Sequence, residues 1–402
     1  MISFFRNHHH VIAATLLVAG TCVGGGMLAL PVDTSSAGFI PAVVSMFFCW
    51  LFMMITGLLY VEVALWMEEG THVMTMSERL LGFPGKIASL ILFLFMGYAS
   101  LVAYTTGGAF IMESFFLKSL MHEPSHALNC LFFTLIFGSL FFLSTKFLGR
   151  INATLVFGMI GAYIGLVAIG TTEVDMSLLN RSNFKEAFVA FPILLTVFSY
   201  QIIVPTLVTY VQRDVKVLKR AIFWGTTIPF IAYILWEWIV LGSVPHEGDP
   251  GLLQAYELGQ GAIEPFRKVV KHPYLILFAD FFAFFAIITS YLGIGLGLFD
   301  FLADSLKQAK KGVRKFGLVL LITIPSLLFA IIFPKAFRYA LEITGGFGDA
   351  LLGGVLPACM VLSGRYWQKR EGAFRVMGGK PLLSYVLLFS LFIILIQVIN
   401  LL

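Results

Sequence analysis

Three consecutive glycines, Gly24, Gly25 and Gly26, stand inside an apolar run that begins at Val11. Such a run asks for a membrane-spanning helix, yet each glycine gives up the constraint that a side chain places on the backbone. Where the helix breaks, carbonyls end its first half and N–H groups open its second. Lipid cannot satisfy those groups, so unwound backbone at membrane depth must face protein, water or a ligand. A broken helix then offers its negative and its positive end to one zwitterion. A carboxylate would take hydrogen bonds from the N–H groups near Gly25, Gly26 and Met27, and an ammonium would sit against carbonyls near Gly20 and Ser199. The plainer alternative is that these small residues only let helices pack closely.

A second interruption has the same character. Ser199, Tyr200 and Gln201 are polar residues in an apolar segment, and Pro205 follows them. Proline removes a backbone donor and clashes with the preceding turn. Corresponding interruptions in two halves of a chain point to a transporter site between repeats.

The elements that must hold these stretches are hydrophobic throughout. Of the 402 residues, 59% are hydrophobic and only 12% charged, with a mean hydropathy of +0.91. That composition implies an all-α polytopic membrane protein. About eleven spans are expected, near residues 11–31, 39–66, 87–116, 127–144, 151–170, 187–210, 221–241, 274–302, 316–333, 339–362 and 383–401. The interrupted ones are the first and the sixth. They open two five-span halves, 11–171 and 187–362, with 383–401 as an extra helix, and an odd number of spans turns the second half over. The whole chain reads as one transport domain.

Basic residues alternate between the loops. With the N-terminus cytoplasmic, Lys118, Arg181, Lys185, Arg267, Lys268, Lys271, Lys335 and Arg338 fall outside and the rest inside, which puts the C-terminus outside. This distribution explains the net charge of +5 without any nucleic acid. Cys22, Cys49, Cys130 and Cys359 lie in apolar segments without metal spacing and read as packing residues. His8, His9 and His10 read as a solvated juxtamembrane run. No phosphate-binding loop, HExxH helix or nucleophile–base set is present, which argues against an ATP-driven pump and against an enzyme. The loop 242–273 holds a polar stretch from Asp249 to Gln260 that could form a short helix, as a lid or as a connector.

The residues also carry a resemblance. The stretch from Ala19 through Gly20, Thr21, Cys22, Val23 and the three glycines to Pro31 resembles the first-helix signature of the bacterial aromatic amino acid permeases, the tyrosine- and tryptophan-type transport proteins. Thr289 to Gly293 and Gly297 to Asp304 resemble a second signature, and Ile203 to Leu207 a third. The resemblance covers nearly the whole chain. It implies the LeuT-like fold of the amino acid–polyamine–organocation superfamily: two inverted five-helix repeats with helices 1 and 6 broken. It also implies cation-coupled uptake of an aromatic amino acid in the bacterial inner membrane, with tyrosine ahead of tryptophan and phenylalanine. One position departs, because relatives commonly carry histidine where this chain has Gln201.

On that basis the expected substrate contacts are Thr21, Gly24, Gly25, Gly26, Tyr98, Tyr104, Ser199, Tyr200, Gln201 and Tyr291. The tyrosines and Gln201 would line a mostly apolar slot for the ring. Carbonyls of Gly20, Val23 and Ala286 with the hydroxyls of Thr289 and Ser290 would make a five-oxygen sodium site. A proton is the alternative coupling ion, with Glu62 and Glu113 as carriers; Glu237, Asp280, Glu342 and Asp349 also lie in or near spans. No further cofactor is expected. Arg6 and Asp304 would pair as an inner gate. At the outer end Leu30 stands where a basic residue would be expected, so closure there is expected to rely on aromatic packing. Uptake of serine or threonine, and a passive pore, are the competing functions.

Overall fold

A computed structural model describes residues 2–120, 124–306 and 312–402, and their side chains except at 2–9, 115–120, 145, 146 and 304. Among the described residues the chain is helical and has no strand. Nine helices among the described residues are long and apolar enough to cross a membrane, and two shorter apolar ones fill the first and fourth places. In chain order the spans are His10–Cys22, Phe39–Leu65, Val73–Ser114, His126–Phe142, Phe147–Gly170, Glu186–Tyr210, Val215–Ser243, Pro273–Ala303, Gly312–Ile332, Ala336–Trp367 and Gly379–Leu401, numbered here as spans 1 to 11. The protein is an all-α polytopic membrane protein, with spans 1 and 6 interrupted.

Burial separates a centre from a rim. Spans 6 and 10 are mostly enclosed by the others, whereas spans 5, 9 and 11 turn much of their surface outward. On span 11, Leu388, Leu391 and Leu395 are exposed at helical spacing, a face that suits lipid. Lipid tails are as apolar as leucine, so contact between spans must come from close packing rather than from hydrophobic gain. Span 10 illustrates it. A side chain at Gly345 would place its Cβ 1.8 Å from the Pro192 carbonyl oxygen of span 6. Only glycine lets those backbones approach so closely.

Span 3 begins well before residue 87, where hydropathy alone starts it. Its early turns carry Glu78, Arg79 and Lys86, which lower the local hydropathy, but Met76, Ser77 and Leu80 are buried. The Lys86 ammonium lies 3.0 Å from the Glu78 carboxylate. Gly82, with φ +74°, bends the helix ahead of Pro84.

The segments 171–185 and 244–272 gather at one end of the bundle, hereafter the long-loop end. There Asn183 N–H donates to Ala37 O at 2.8 Å and Asp175 N–H to Gly242 O at 2.7 Å. The polar stretch 249–260 contains a short helix, Leu252–Glu257, and a second, Ile263–Val269, follows. Both are tied down: Leu252, Ala255, Ile263 and Phe266 are buried, and Ala262 N–H donates to Leu28 O at 2.8 Å. This loop rests directly on the interruption of span 1.

Candidate functional site

Each interruption solves the same backbone problem. In span 1 the helix ends at Cys22, Gly24 is extended, a 3-10 turn covers Gly25–Leu28, and a short helix resumes at Leu30–Thr34. In span 6 the helix Phe191–Val197 stops, Tyr200 leaves helical geometry at φ −149°, ψ 0°, and Val204–Tyr210 resumes. Pro31 and Pro205 each sit in the first turn of the resumed half. A missing N–H costs nothing there, and the fixed φ favours the restart.

The two breaks meet on span 7. The Tyr233 hydroxyl lies 2.8 Å from Cys22 O and 2.7 Å from Val197 O and shares its one proton between them. Both first halves therefore end at one phenol. Three residues on, the Trp236 indole N–H donates to Met27 O at 2.8 Å. Tyr233 and Trp236 share a helix face, and both are fully buried. From span 8 the Ser290 hydroxyl accepts the Gly25 N–H at 2.9 Å, while Met27 N–H turns to Gly24 O at 3.1 Å. The glycines are needed for this closeness: a Cβ on Gly24 would fall 2.3 Å from Ser290 Oγ, and one on Gly26 would fall 3.2 Å from Val197.

The residues singled out in the sequence divide by where they point. Gly24, Gly25, Gly26, Tyr104, Ser199 and Ser290 surround the breaks, Tyr104 with its ring against Gly25. Tyr200 and Gln201 belong to the break but turn toward span 2. The Tyr200 hydroxyl donates to Met53 O at 3.2 Å, and the Gln201 amide donates to Met53 O and Thr56 Oγ1 while its oxygen accepts the Tyr200 N–H. They anchor span 6 to span 2.

Three others point elsewhere. Thr21 is exposed and bonds its own helix at Leu17 O. Tyr98 donates to Leu321 O of span 9. Tyr291 packs between Phe133 and Phe141 of span 4. Of the five oxygens grouped as a sodium site, Gly20 is on an exposed face and Val23 is half-buried. Thr289 donates to Phe285 O at 2.7 Å and stands 3.3 Å from Ala286 O, and Ser290 is engaged with Gly25. The Arg6 and Asp304 side chains lie outside the described residues. Glu62 is held by Arg365 in a bidentate pair and also accepts the Val376 N–H. Glu113 lies at the far end of span 3, close enough to Glu264 for their charges to interact.

Sequence patterns did not reveal the ion pair at the long-loop end. Beside the aromatic packing expected near Leu30, a charged pair is present that the sequence did not suggest: Arg338 at the start of span 10 reaches Asp33, one turn past Leu30, at 2.6 Å. It also reaches Glu342 at 3.0 Å, and its guanidinium lies 3.7 Å from the Tyr256 ring centroid and 4.2 Å from that of Tyr339. Rings and charges pack together at this end. Beside Leu28 of the span 1 interruption, a cavity of about 330 Å³ is also lined by Phe110, Phe284, Ile287 and Phe337, with Ser114, Glu264, Arg267 and Asp280 as its polar part. Its size and its mostly apolar wall fall within the range of small-molecule sites.

Comparison with known proteins agrees in scale. Residues 7–397 match the model of the tryptophan/tyrosine permease family. The chain is 30% identical over 391 residues to tyrosine-specific transport system 1 of Haemophilus influenzae, covering 95% of each chain. It is 28% identical over 401 residues to the tryptophan-specific transport protein of the same organism, covering 96% of this chain and 95% of that one. It is also 28% identical to the low affinity tryptophan permease of Escherichia coli, with the same coverage.

Proposed function

The chain belongs to the tryptophan/tyrosine permease family, and from that premise we propose that it imports an aromatic amino acid with a cation across a bacterial inner membrane by alternating access. The observation that carries the proposal is the meeting of two broken spans at Tyr233. Two half-helix carbonyl ends at one point, with the Gly25 N–H of the span 1 restart held nearby by Ser290, supply the paired poles that a zwitterion needs. In the present geometry protein groups occupy them. Ser290 holds the Gly25 N–H, so a substrate carboxylate would take the place of that hydroxyl. With the N-terminus cytoplasmic the long-loop end lies outside, and the 330 Å³ cavity adjoins the span 1 interruption at Leu28. Spans 1 to 5 and 6 to 10 act as the two inverted halves, and span 11 is peripheral. Tyrosine leads, with tryptophan and phenylalanine next.

The test is uptake of labelled tyrosine, tryptophan and phenylalanine into proteoliposomes under a sodium gradient alone or a proton gradient alone. Saturable accumulation that unlabelled serine and threonine do not reduce is expected. Flux that never saturates and ignores both gradients would mean a pore.

Ser290 provides a smaller test. Ser290→Ala leaves the Gly25 N–H without its acceptor when the site is empty, at a cost of about 1–3 kcal/mol. A substrate carboxylate satisfies that group, so the variant is expected to bind substrate about ten-fold more tightly or better. Unchanged affinity in equilibrium binding would show that Ser290 does not compete with substrate.

A further inference from the structure

Resting on this transport reading, we propose that Asp349 binds and releases the coupled proton, with Ser199 holding its carboxylate at the break of span 6. Asp349 lies in Thr344–Val355, where span 10 winds as a wide π-type helix for 12 residues, a distortion frequent at functional sites. Its side chain is 1% exposed. One carboxylate oxygen accepts the Ser199 hydroxyl at 2.5 Å, and the other, Oδ2, is buried without a hydrogen-bond partner.

No cation answers this carboxylate among the described residues. The titratable groups that its charge reaches are Cys22 on span 1, Tyr60 on span 2 and Tyr104 on span 3. Earlier on its own span, Arg338 and Glu342 are tied to each other and to Asp33, and Glu62 on span 2 is tied to Arg365. Span 11 presents the neutral Gln397 to the neighbouring Gly346. An ionised carboxylate at membrane depth with one hydrogen bond and no opposing charge is expensive, and a proton on Oδ2 removes that cost. The side chains named around this carboxylate, one hydroxyl, two phenols and a thiol, carry no positive charge. The described His, Cys, Asp and Glu residues form no cluster of three or more that could hold a metal.

The position couples this proton to both breaks, since Ser199 is in one and Cys22 ends the first half of the other. With the outer side open, water delivers a proton and the carboxylate becomes a neutral acid. With the inner side open, the acid returns the proton to cytoplasmic water. No other bond changes.

Asp349→Asn tests this in proteoliposomes. It is expected to keep exchange of labelled for unlabelled substrate while proton-driven accumulation falls to simple equilibration. Ser199→Ala removes a hydrogen bond that favours the charged carboxylate, so its uptake midpoint should move to higher pH. Proton-driven accumulation retained by Asp349→Asn would overturn the proposal. So would loss of exchange in an Asp349→Asn protein of unchanged melting temperature, which would make Asp349 the partner of the substrate ammonium. Accumulation by the unaltered protein driven by sodium alone would overturn it too and leave the transport reading standing. Absence of any saturable uptake by the unaltered protein would remove that reading itself.

Discussion

Arg338→Met is expected to lower the stability of the purified protein by about 3–5 kcal/mol, because it strips the cation from two buried carboxylates. Arg338 is 1% exposed, and both Asp33 and Glu342 lean on it. Glu342 has a second support, since the Asn400 amide donates to it at 2.7 Å from span 11. Asp33 has no such substitute, and its second oxygen is buried without a partner. Arg338→Lys should fall between, because an ammonium keeps the charge but loses the planar fork and the stacking on Tyr256 and Tyr339. The pair also ties the resumed half of span 1 to span 10, so its loss should favour the state open at the long-loop end. Thermal unfolding of Arg338→Met, Asp33→Asn and the double variant checks the claim. Strictly additive losses would mean that the two side chains are not coupled.

Gly25→Val is expected to abolish uptake while the protein still inserts into the membrane. A Cβ at Gly25 would lie 2.8 Å from Tyr104 Cε1 and 3.5 Å from Ile287 Cγ1, before either valine methyl is added. Overpacking of that kind costs about 1–3 kcal/mol, and here it falls on the backbone that would hold the substrate. Gly20→Ala is the control, because nothing lies within 4 Å of a Cβ there. It should transport like the unaltered protein, and alanine should firm the helix by about 0.8–1 kcal/mol. Uptake by Gly25→Val comparable to that of Gly20→Ala would return the glycines to helix packing.

What the sequence determined alone was set by local physics. Runs of apolar side chains must become helices in lipid, so the spans follow from hydropathy, apart from the charged opening of span 3. Three glycines followed by Pro31, and polar residues followed by Pro205, mark where helix is least favoured, and both breaks fall there. Tertiary structure decided which way each side chain of a break points and what it meets. Tyr98, Tyr104 and Tyr291 look alike in sequence, yet only Tyr104 faces the glycines; Tyr98 bonds span 9, and Tyr291 is enclosed by span 4. Asp33 and Arg338 are 305 residues apart, and Ser199 and Asp349 are 150 apart. Nothing near Asp349 in the chain announces a hydroxyl donor, and nothing near Asp33 announces a guanidinium. Helical periodicity names the residues that share a face, but the partner of that face depends on how distant spans pack, and in lipid that packing turns on small residues and polar pairs rather than on hydrophobicity.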